Sequence, residues 1–525
     1  MSMNQQEIRV PDRFNFARHV LDVNATWPEK IAYIDDSGTF SYAELEDAVR
    51  RFAAGLHAMG LHREERILLI MQDSRDLPVA LLGAMYAGIV PVPINTLLPA
   101  ADYAYMLKHS GARAVITSAA LLPVVMQALA ETPVKVPLIV SGESTDYSAD
   151  SVGLHFSALL NQAPMAADGY ADTHADQFAF WLYSSGSTGR PKGTVHSHGN
   201  LFWTSELYGK PVLGIRHDDV VFSAAKLFFA YGLGNGFTFP LSVGATTVLM
   251  AERPTTKAVF QRLTQYKPTL FAGVPTLYVG MLAADDLPPR GETALRICAS
   301  AGETLPREIG EKFRDHFGCD ILDGIGSTEM LHIFLSNHSG DIRYGSTGKP
   351  VAGYRVELRD ENQVAVGHGE IGDLYIRGPS AALMYWTNRE KSCATFLGEW
   401  IKSGDKFIAD QEGYYYYAGR SDDMLKVSGQ YVSPIEIESV LIEHASVLEC
   451  AVIGRNDESG LTKTVAYVVL KQSNDAGDTL AADLKAFVKS RLAPHKYPRE
   501  IFFLDDLPKT ATGKIQRFKL RDSVL

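Results

Sequence analysis

Cysteine is scarce: the 525 residues contain four, Cys298, Cys319, Cys393 and Cys450, and no two of them make a CxxC pair. That excludes a disulfide-dense secreted scaffold and a zinc ribbon, and it fits a reducing cytosol. Basic charge is also in deficit, since 50 Lys and Arg face 61 Asp and Glu for a net −11. Non-specific attraction to nucleic acid or to an acidic membrane is therefore not expected. An anionic ligand has to be met by a local cluster of donors. The N-terminal stretch MSMNQQEIRVPDRF is polar and charged, unlike a secretory signal. No apolar run is long and unbroken enough to span a bilayer. Leu77 to Ala101 carries no charge, but Gly83, Gly88, Pro91, Pro93 and Asn95 break it. A buried helix feeding a buried strand is expected there.

What is present reads as an ordinary globular chain, 46% hydrophobic and 21% charged. Its length calls for two to four domains. Up to about residue 170, helical and strand patterns alternate. Ser41 and Glu44 predict a capping box and Gly60 a stop around a helix. Arg66–Met71, a helix before Pro91, the strand PVPI, a helix around Tyr103–His109 and Ala112–Thr117 follow. Such alternation predicts parallel sheets covered by helices, an α/β architecture.

The chain is organised around WLYSSGSTGRPKG, Trp181 to Gly193. Phe178–Tyr183 reads as a short buried strand, running into a loop of small residues: Ser184, Ser185, Gly186, Ser187, Thr188 and Gly189. Small side chains let amides and hydroxyls close around an anion, and Lys192 adds charge for outer phosphates. A Ser/Gly linker would not follow a buried strand and end in Arg-Pro-Lys-Gly. Nor is this a Walker A loop, because Lys192 lies between Pro191 and Gly193.

Two histidines in HSHGNL, His196 and His198, invite a metal reading, but a helix start near Asn200 explains them without one. Gly232, Gly234 and Gly236 miss the GxGxxG spacing; among Phe228, Phe229 and Tyr231 they predict a flat apolar slot for a planar ligand, or plain core. Leu295–Pro306 and Ile321–Phe334 are each a strand running into a polar turn, with Gly302 and Glu303 in one and Asp323, Thr328 and Glu329 about the other. Such turns lie where α/β sheets bind ligands. A hydroxyl beside a carboxylate there points to a phosphate contact and an Mg²⁺ ligand, where a helix cap is the plainer reading. From Tyr344 short strands and Gly turns predict a small barrel or distorted sheet, with Asp405 in a turn able to hold a ribose diol. Gly419–Glu438 reads as a linker around Asp422 and Asp423, followed by a small α+β domain ending in LPKTATGKIQR.

Six collinear stretches, YSSGSTGRPKG, SAGETLP, GIGSTE, GEIGDLYIRG, WIKSGDKFIAD with YYYYAGRSDDMLKVSG, and LPKTATGKIQR, resemble the motifs of the adenylate-forming superfamily of acyl- and aryl-CoA synthetases. The resemblance implies a large N-terminal domain, 1–421, α/β to about 340 and β-rich to 421, with a mobile α+β lid, 422–525. It implies that Ser184–Lys192 holds the β- and γ-phosphates, Thr328 the α-phosphate and Glu329 the Mg²⁺. Gly302, Glu303 and Asp323 line adenine, and Asp405 and Arg420 hold the ribose. Lys514 bridges carboxylate and α-phosphate during adenylation. Asp422 is the implied hinge, and Lys426, Ser428 and Gly429 part of the coenzyme A tunnel. This chain has Ile325 where the family often carries Tyr.

Phe229, Ala230, Tyr231, Gly232, Gly326, His332 and Ile333 occupy the implied acid pocket, His332 at its edge. The amino-acid-activating members of the superfamily place an Asp near Ala230, and this chain has none; with Phe228, Phe229, Ala230, Tyr231 and His332 it instead resembles the benzoate–CoA ligase type within the superfamily. The implied reaction makes an aryl-AMP from ATP with release of pyrophosphate, then transfers the aryl group to coenzyme A. Loading of a separate carrier protein, activation of a short or medium aliphatic acid, and a silent nucleotide-binding regulator are the alternatives. The implied partners are small molecules, with no nucleic acid and no membrane insertion, and with a homodimer allowed; the expected compartment is the cytoplasm.

Overall fold

The computed structural model describes residues 8–142, 153–184, 190–421, 424–427, 430–456, 462–471, 476–492, 496–509 and 515–522. The chain forms two compact units, one of residues 1–356 and 376–402, the other of residues 357–375 and 403–525.

In the first unit, five parallel strands form one sheet in the order Val90–Pro93, Arg66–Ile70, Ala114–Ser118, Leu138–Ser141, Leu154–His155. The expected helix starts at Tyr42: the Ser41 hydroxyl accepts from the Glu44 amide at 3.2 Å and the Glu44 carboxylate accepts from the Ser41 amide at 2.7 Å. It ends at Ala58, just before Gly60 turns the chain at φ 78°. The charge-free run becomes the helix Asp76–Tyr86, buried from Leu77 to Tyr86, and then the strand Val90–Pro93. Close packing explains why Gly83 carries no side chain, since a Cβ would meet the Phe52 ring at 2.6 Å. Among the described residues no helix is long and apolar enough to cross a membrane.

A nine-stranded sheet carries the remaining motifs. Its order is Lys349–Pro350, Ile333–Ser336, Ile321–Gly326, Ile297–Ser300, Leu270–Gly273, Val220–Ser223, Thr246–Val248, Ile31–Asp35, Gly38–Ser41. Its interior pairs are parallel, while Ile333–Ser336, Lys349–Pro350 and Gly38–Ser41 are antiparallel at the two edges. A smaller antiparallel sheet sets Phe178–Ser184 and Met384–Tyr385 on either side of Lys192–Ser197.

In the second unit, Val447–Asn456 pairs antiparallel with Thr462–Leu470, which pairs parallel with Glu500–Phe503. The helices Pro434–Ile442 and Asp478–Lys489 bury Ile437, Leu441, Leu484 and Val488 on one face of this sheet. Leu507 and Leu520 cover Ile453 and Tyr467 on the other. Trp400–Ala409 continues into this unit and pairs antiparallel with Tyr415–Arg420.

Candidate active site

The phosphate-loop motif is a hairpin. Phe178–Ser184 and Lys192–Ser197 are antiparallel, with Ser184 directly opposite Lys192 at the mouth. Ser185, Gly186, Ser187, Thr188 and Gly189 lie outside the described residues. Lys192 Nζ is 3.8 Å from Glu329 Oε1 and 3.3 Å from the Tyr385 hydroxyl, and it stands 4.3 Å above the Tyr385 ring. The same hydroxyl donates to Glu329 Oε1 at 2.7 Å. A residue 193 positions downstream thus joins the cation and the carboxylate that the motifs singled out. Backbone pairing sets it there: the Leu383 amide donates to the Val195 carbonyl and the Trp386 amide to the Gly193 carbonyl, both at 2.8 Å.

Thr328 and Glu329 follow the strand Ile321–Gly326. The His196 Nε2–H donates to the Thr328 carbonyl at 2.9 Å, and its Nδ1 accepts from Asn200 at 3.0 Å. Burial lowers the His196 pKa to about 3, so the ring is neutral in this tautomer. His198 Nδ1 accepts from the Phe16 amide at 3.2 Å. Both histidines of HSHGNL hold backbone, and the helix there spans His198–Thr204. The Ala382 amide donates to the Glu329 carbonyl at 2.7 Å, and the Ser380 hydroxyl to the Met330 carbonyl at 2.8 Å. Leu331 has φ 63°, a left-handed conformation that costs a branched side chain energy. That turn delivers His332.

Asp323 and Ser300 are register partners on adjacent parallel strands. Gly302, at φ 99°, and Glu303 follow the second of these strands, so both turns open at one C-terminal edge of the sheet. Asp323 is buried, and that burial raises its pKa to about 7, opposed by Ser300 and the Leu305 backbone. Its own carbonyl accepts from the Asn337 amide at 2.9 Å and from Asn337 Nδ2 at 3.1 Å.

The slot departs from the expected flat apolar surface. His332 is 2% exposed and packed among aromatic rings. Its ring is 5.1 Å from Tyr208, 5.7 Å from Tyr231 in a stacked pose and 4.6 Å edge-on from Phe239. Its Nε2 approaches the Tyr231 carbonyl at 3.4 Å and Asn235 Nδ2 at 3.5 Å. Burial lowers its pKa to about 3. Tyr208 and Asn235 come from two π-helical turns, Ser205–Gly209 and Gly234–Thr238. Among the described residues, the Tyr231 hydroxyl, Asn235 Oδ1 and His332 Nδ1 are buried without a hydrogen-bond partner. Polar groups buried in this way mark a place for water or a polar ligand. Three glycines make room: a Cβ would lie 2.2 Å from His332 Cδ2 at Gly234, 2.0 Å from the Lys226 carbonyl at Gly232 and 2.5 Å from the His332 carbonyl at Gly326. Ile333 is the register partner of Gly326. Phe229 caps the short turn Ala230–Leu233, its ring 4.7 Å from that of Phe228. Asp73 accepts from the Leu227 amide at 3.3 Å and ties this loop to the turn before the helix Asp76–Tyr86.

In the second unit, Asp405 lies within the strand Trp400–Ala409, not in a turn, directly opposite Arg420. The Arg420 guanidinium donates to Asp405 Oδ1 at 2.9 Å. Gly404, just before Asp405, has φ 80°, and the irregularity in the pairing falls beyond them, between Lys406 and Phe407. Lys514, Asp422, Ser428 and Gly429, together with the side chain of Lys426, lie outside the described residues. On either side of 510–514, Lys509 and Ile515 form an antiparallel bridge, and the Gln516 amide donates to the Pro508 carbonyl at 2.7 Å. Sequence reasoning missed Tyr385, Tyr208, Asn235 and Asp73, each brought in by a contact too distant in the chain for spacing to reveal.

This arrangement is that of a nucleotide-dependent acid-activating enzyme, and the chain belongs to the AMP-binding enzyme family. The model of that family matches residues 20–386, and that of the AMP-binding enzyme C-terminal domain matches residues 436–514. More particularly, the chain is 55% identical over 520 residues to a benzoate–CoA ligase of Thauera aromatica, covering 98% of this chain and 97% of that one. It is 46% identical to a 4-hydroxybenzoate–CoA/benzoate–CoA ligase of Rhodopseudomonas palustris, over 94% of this chain and 91% of that one. A benzoate CoA ligase crystal structure from Burkholderia xenovorans LB400 superposes with a TM-score of 0.89 at 62% identity, over 97% of this chain and 100% of that one.

Proposed function

We propose that this protein converts benzoate, or a close analogue, to its coenzyme A thioester in two steps at one site. The carboxylate oxygen attacks the α-phosphorus of ATP, and pyrophosphate leaves from an aryl-AMP. The coenzyme A thiolate then attacks the mixed anhydride and AMP departs. The observation that carries this reading is the turn Ser327–Ile333. It bears Glu329 beside Lys192 at one end and His332, stacked on Tyr231, at the other. In this reading the proposed nucleotide and acid contacts lie a few residues apart in the chain.

Lys192, a cation at a hairpin mouth, fits the outer phosphates, and the Glu329 carboxylate offers the hard oxygen donor that Mg²⁺ takes. Bound Mg²⁺ would neutralise phosphate charge. Neutral His332, wedged between aromatic rings and facing a stretch Lys226–Asn235 that contains no acidic residue, suits a planar acid without an amine to pair. Gly302, Glu303 and Asp323 are the proposed adenine contacts, with Asp405 and Arg420 for the ribose.

Lys514 is proposed to stabilise the α-phosphoryl oxygens in the first step only. Asp422 is the proposed hinge of a lid, 422–525, whose other pose brings Lys426, Ser428 and Gly429 to the thiol path; access of lysine and thiol to one face then alternates. Four free cysteines, with the Cys298 and Cys319 sulfurs 3.9 Å apart as thiols, support a reducing cytoplasm. A homodimer is compatible with this reading.

Pyrophosphate release over a panel of aryl and aliphatic acids, with and without coenzyme A, tests the proposal. Benzoate should give pyrophosphate in both conditions and AMP turnover only with coenzyme A. Preference for an aliphatic acid, or no stimulation by free coenzyme A, would overturn it.

A further inference from the structure

We propose that Tyr385 is a positioning residue for nucleotide binding, bonding both Glu329 and Lys192 so that each keeps the pose that Mg²⁺ and phosphate require. The inference rests on the nucleotide reading above and extends it to a residue outside all six motif stretches. Lys192 and Glu329 carry opposite charges 3.8 Å apart, each little exposed at 14% and 16%. Left to themselves, such groups close to a hydrogen-bonded ion pair, and that pair withholds both from a ligand. Tyr385 bonds to both, its hydroxyl accepting from Lys192 Nζ at 3.3 Å. Its hydroxyl occupies Glu329 Oε1 at 2.7 Å, the oxygen nearest the lysine, while its ring lies under the ammonium at 4.3 Å.

The tyrosine is itself fixed. Its strand pairs with Lys192–Ser197 through Tyr385↔Thr194, its amide donates to the Ser392 hydroxyl at 3.0 Å, and Phe396 packs edge-on at 5.2 Å. The phenol therefore links two ligand-binding groups that come from different sheets. A ring under the ammonium balances its charge without supplying an anion that phosphate must displace.

The hydroxyl acts through Glu329, so the two residues should be coupled. Calorimetric binding of ATP with and without Mg²⁺, in the absence of acid, reads this directly for the full chain. Tyr385→Phe keeps the ring and removes only the hydroxyl; it should weaken Mg–ATP binding roughly tenfold, the usual worth of a hydrogen bond to a charged group. In a Glu329→Gln background, with no anion left to restrain, the same change should cost no more than about twofold. Thermal unfolding of each variant verifies the fold. Equal losses in both backgrounds, or none in the first, would overturn the role of Tyr385 while leaving the nucleotide reading intact. If wild-type protein neither binds Mg–ATP nor releases pyrophosphate with benzoate, both fall together.

Discussion

Glu438 and Arg517 grip each other across 79 residues: Arg517 Nη2 reaches the two carboxylate oxygens at 2.9 and 2.7 Å, and Nε reaches Oε1 at 3.3 Å. That same oxygen accepts from the Val452 amide at 2.6 Å. One carboxylate thereby joins the helix Pro434–Ile442, the strand Val447–Asn456 and the helix Arg517–Asp522. The two side chains are only 9% and 17% exposed. Glu438→Gln leaves a guanidinium buried without its counter-charge, which should cost about 3–5 kcal/mol. Joint replacement, Glu438→Leu with Arg517→Met, should recover most of that loss. Hydrogen exchange at Val447–Asn456 checks both, and unchanged protection in the single variant would refute the tie.

Lys514→Ala should abolish formation of benzoyl-AMP yet still convert supplied benzoyl-AMP to the thioester. Loss of one such electrostatic donor typically costs about 2.7–4 kcal/mol of transition-state stabilisation. Half-reactions measured separately decide it. Equal loss of both would mean that Lys514 does not serve the first step alone.

Asp422→Pro confines φ at the proposed hinge. Adenylation should survive better than thioester formation, read as pyrophosphate release against coenzyme A consumption. Undiminished thioester formation would show that the lid does not turn at this residue.

Gly234→Ala places a methyl 2.2 Å from His332 Cδ2 and 2.4 Å from its Nε2. The ring must leave its stack on Tyr231, at the overpacking cost of about 1–3 kcal/mol. kcat/KM for benzoate should fall roughly tenfold, while ATP binding without acid holds. Steady-state kinetics that do not change would take His332 out of the acid site.

Acid should destabilise the first unit. Burial holds His196, His198 and His332 each at a pKa of about 3, below the ordinary 6.5. Each imidazole therefore contributes stability above pH 6.5 that is lost as pH falls towards 3. Asp323 and Asp73, raised to about 7 and about 6, oppose this by keeping protons that the unfolded chain releases. From about pH 6 to about pH 4 these five groups leave the unfolded state ahead by about one proton, so their joint contribution to stability falls by roughly 1.4 kcal/mol per pH unit of acidification. His198→Gln retains an acceptor for the Phe16 amide and should flatten that limb. Urea unfolding across this range tests it; a limb as steep as wild type would exclude His198 as a contributor.

Local chemistry in the sequence determined much of this protein. Ser41 and Glu44 cap their helix because the capping groups lie three residues apart, and Phe178–Ser184 forms a strand because its apolar run is short and strand-like. The polar turns at Gly302 and Thr328 were legible for a similar reason, each ending an apolar run short enough to be a strand. Tertiary structure alone decided which groups meet. Tyr385 reaches Glu329 only because Met384–Tyr385 adds to the edge of Lys192–Ser197, and strand pairing across such separations leaves no periodic trace. Tyr208 and Asn235 enter the slot on π-helical turns, which shift side-chain direction away from the spacing that a sequence pattern assumes. Asp405 read as a turn residue because Gly404 precedes it; pairing with Arg420 made it a strand. Sequence specifies conformations available to neighbouring residues, whereas a binding site depends on distances between strands that only the packed sheets set.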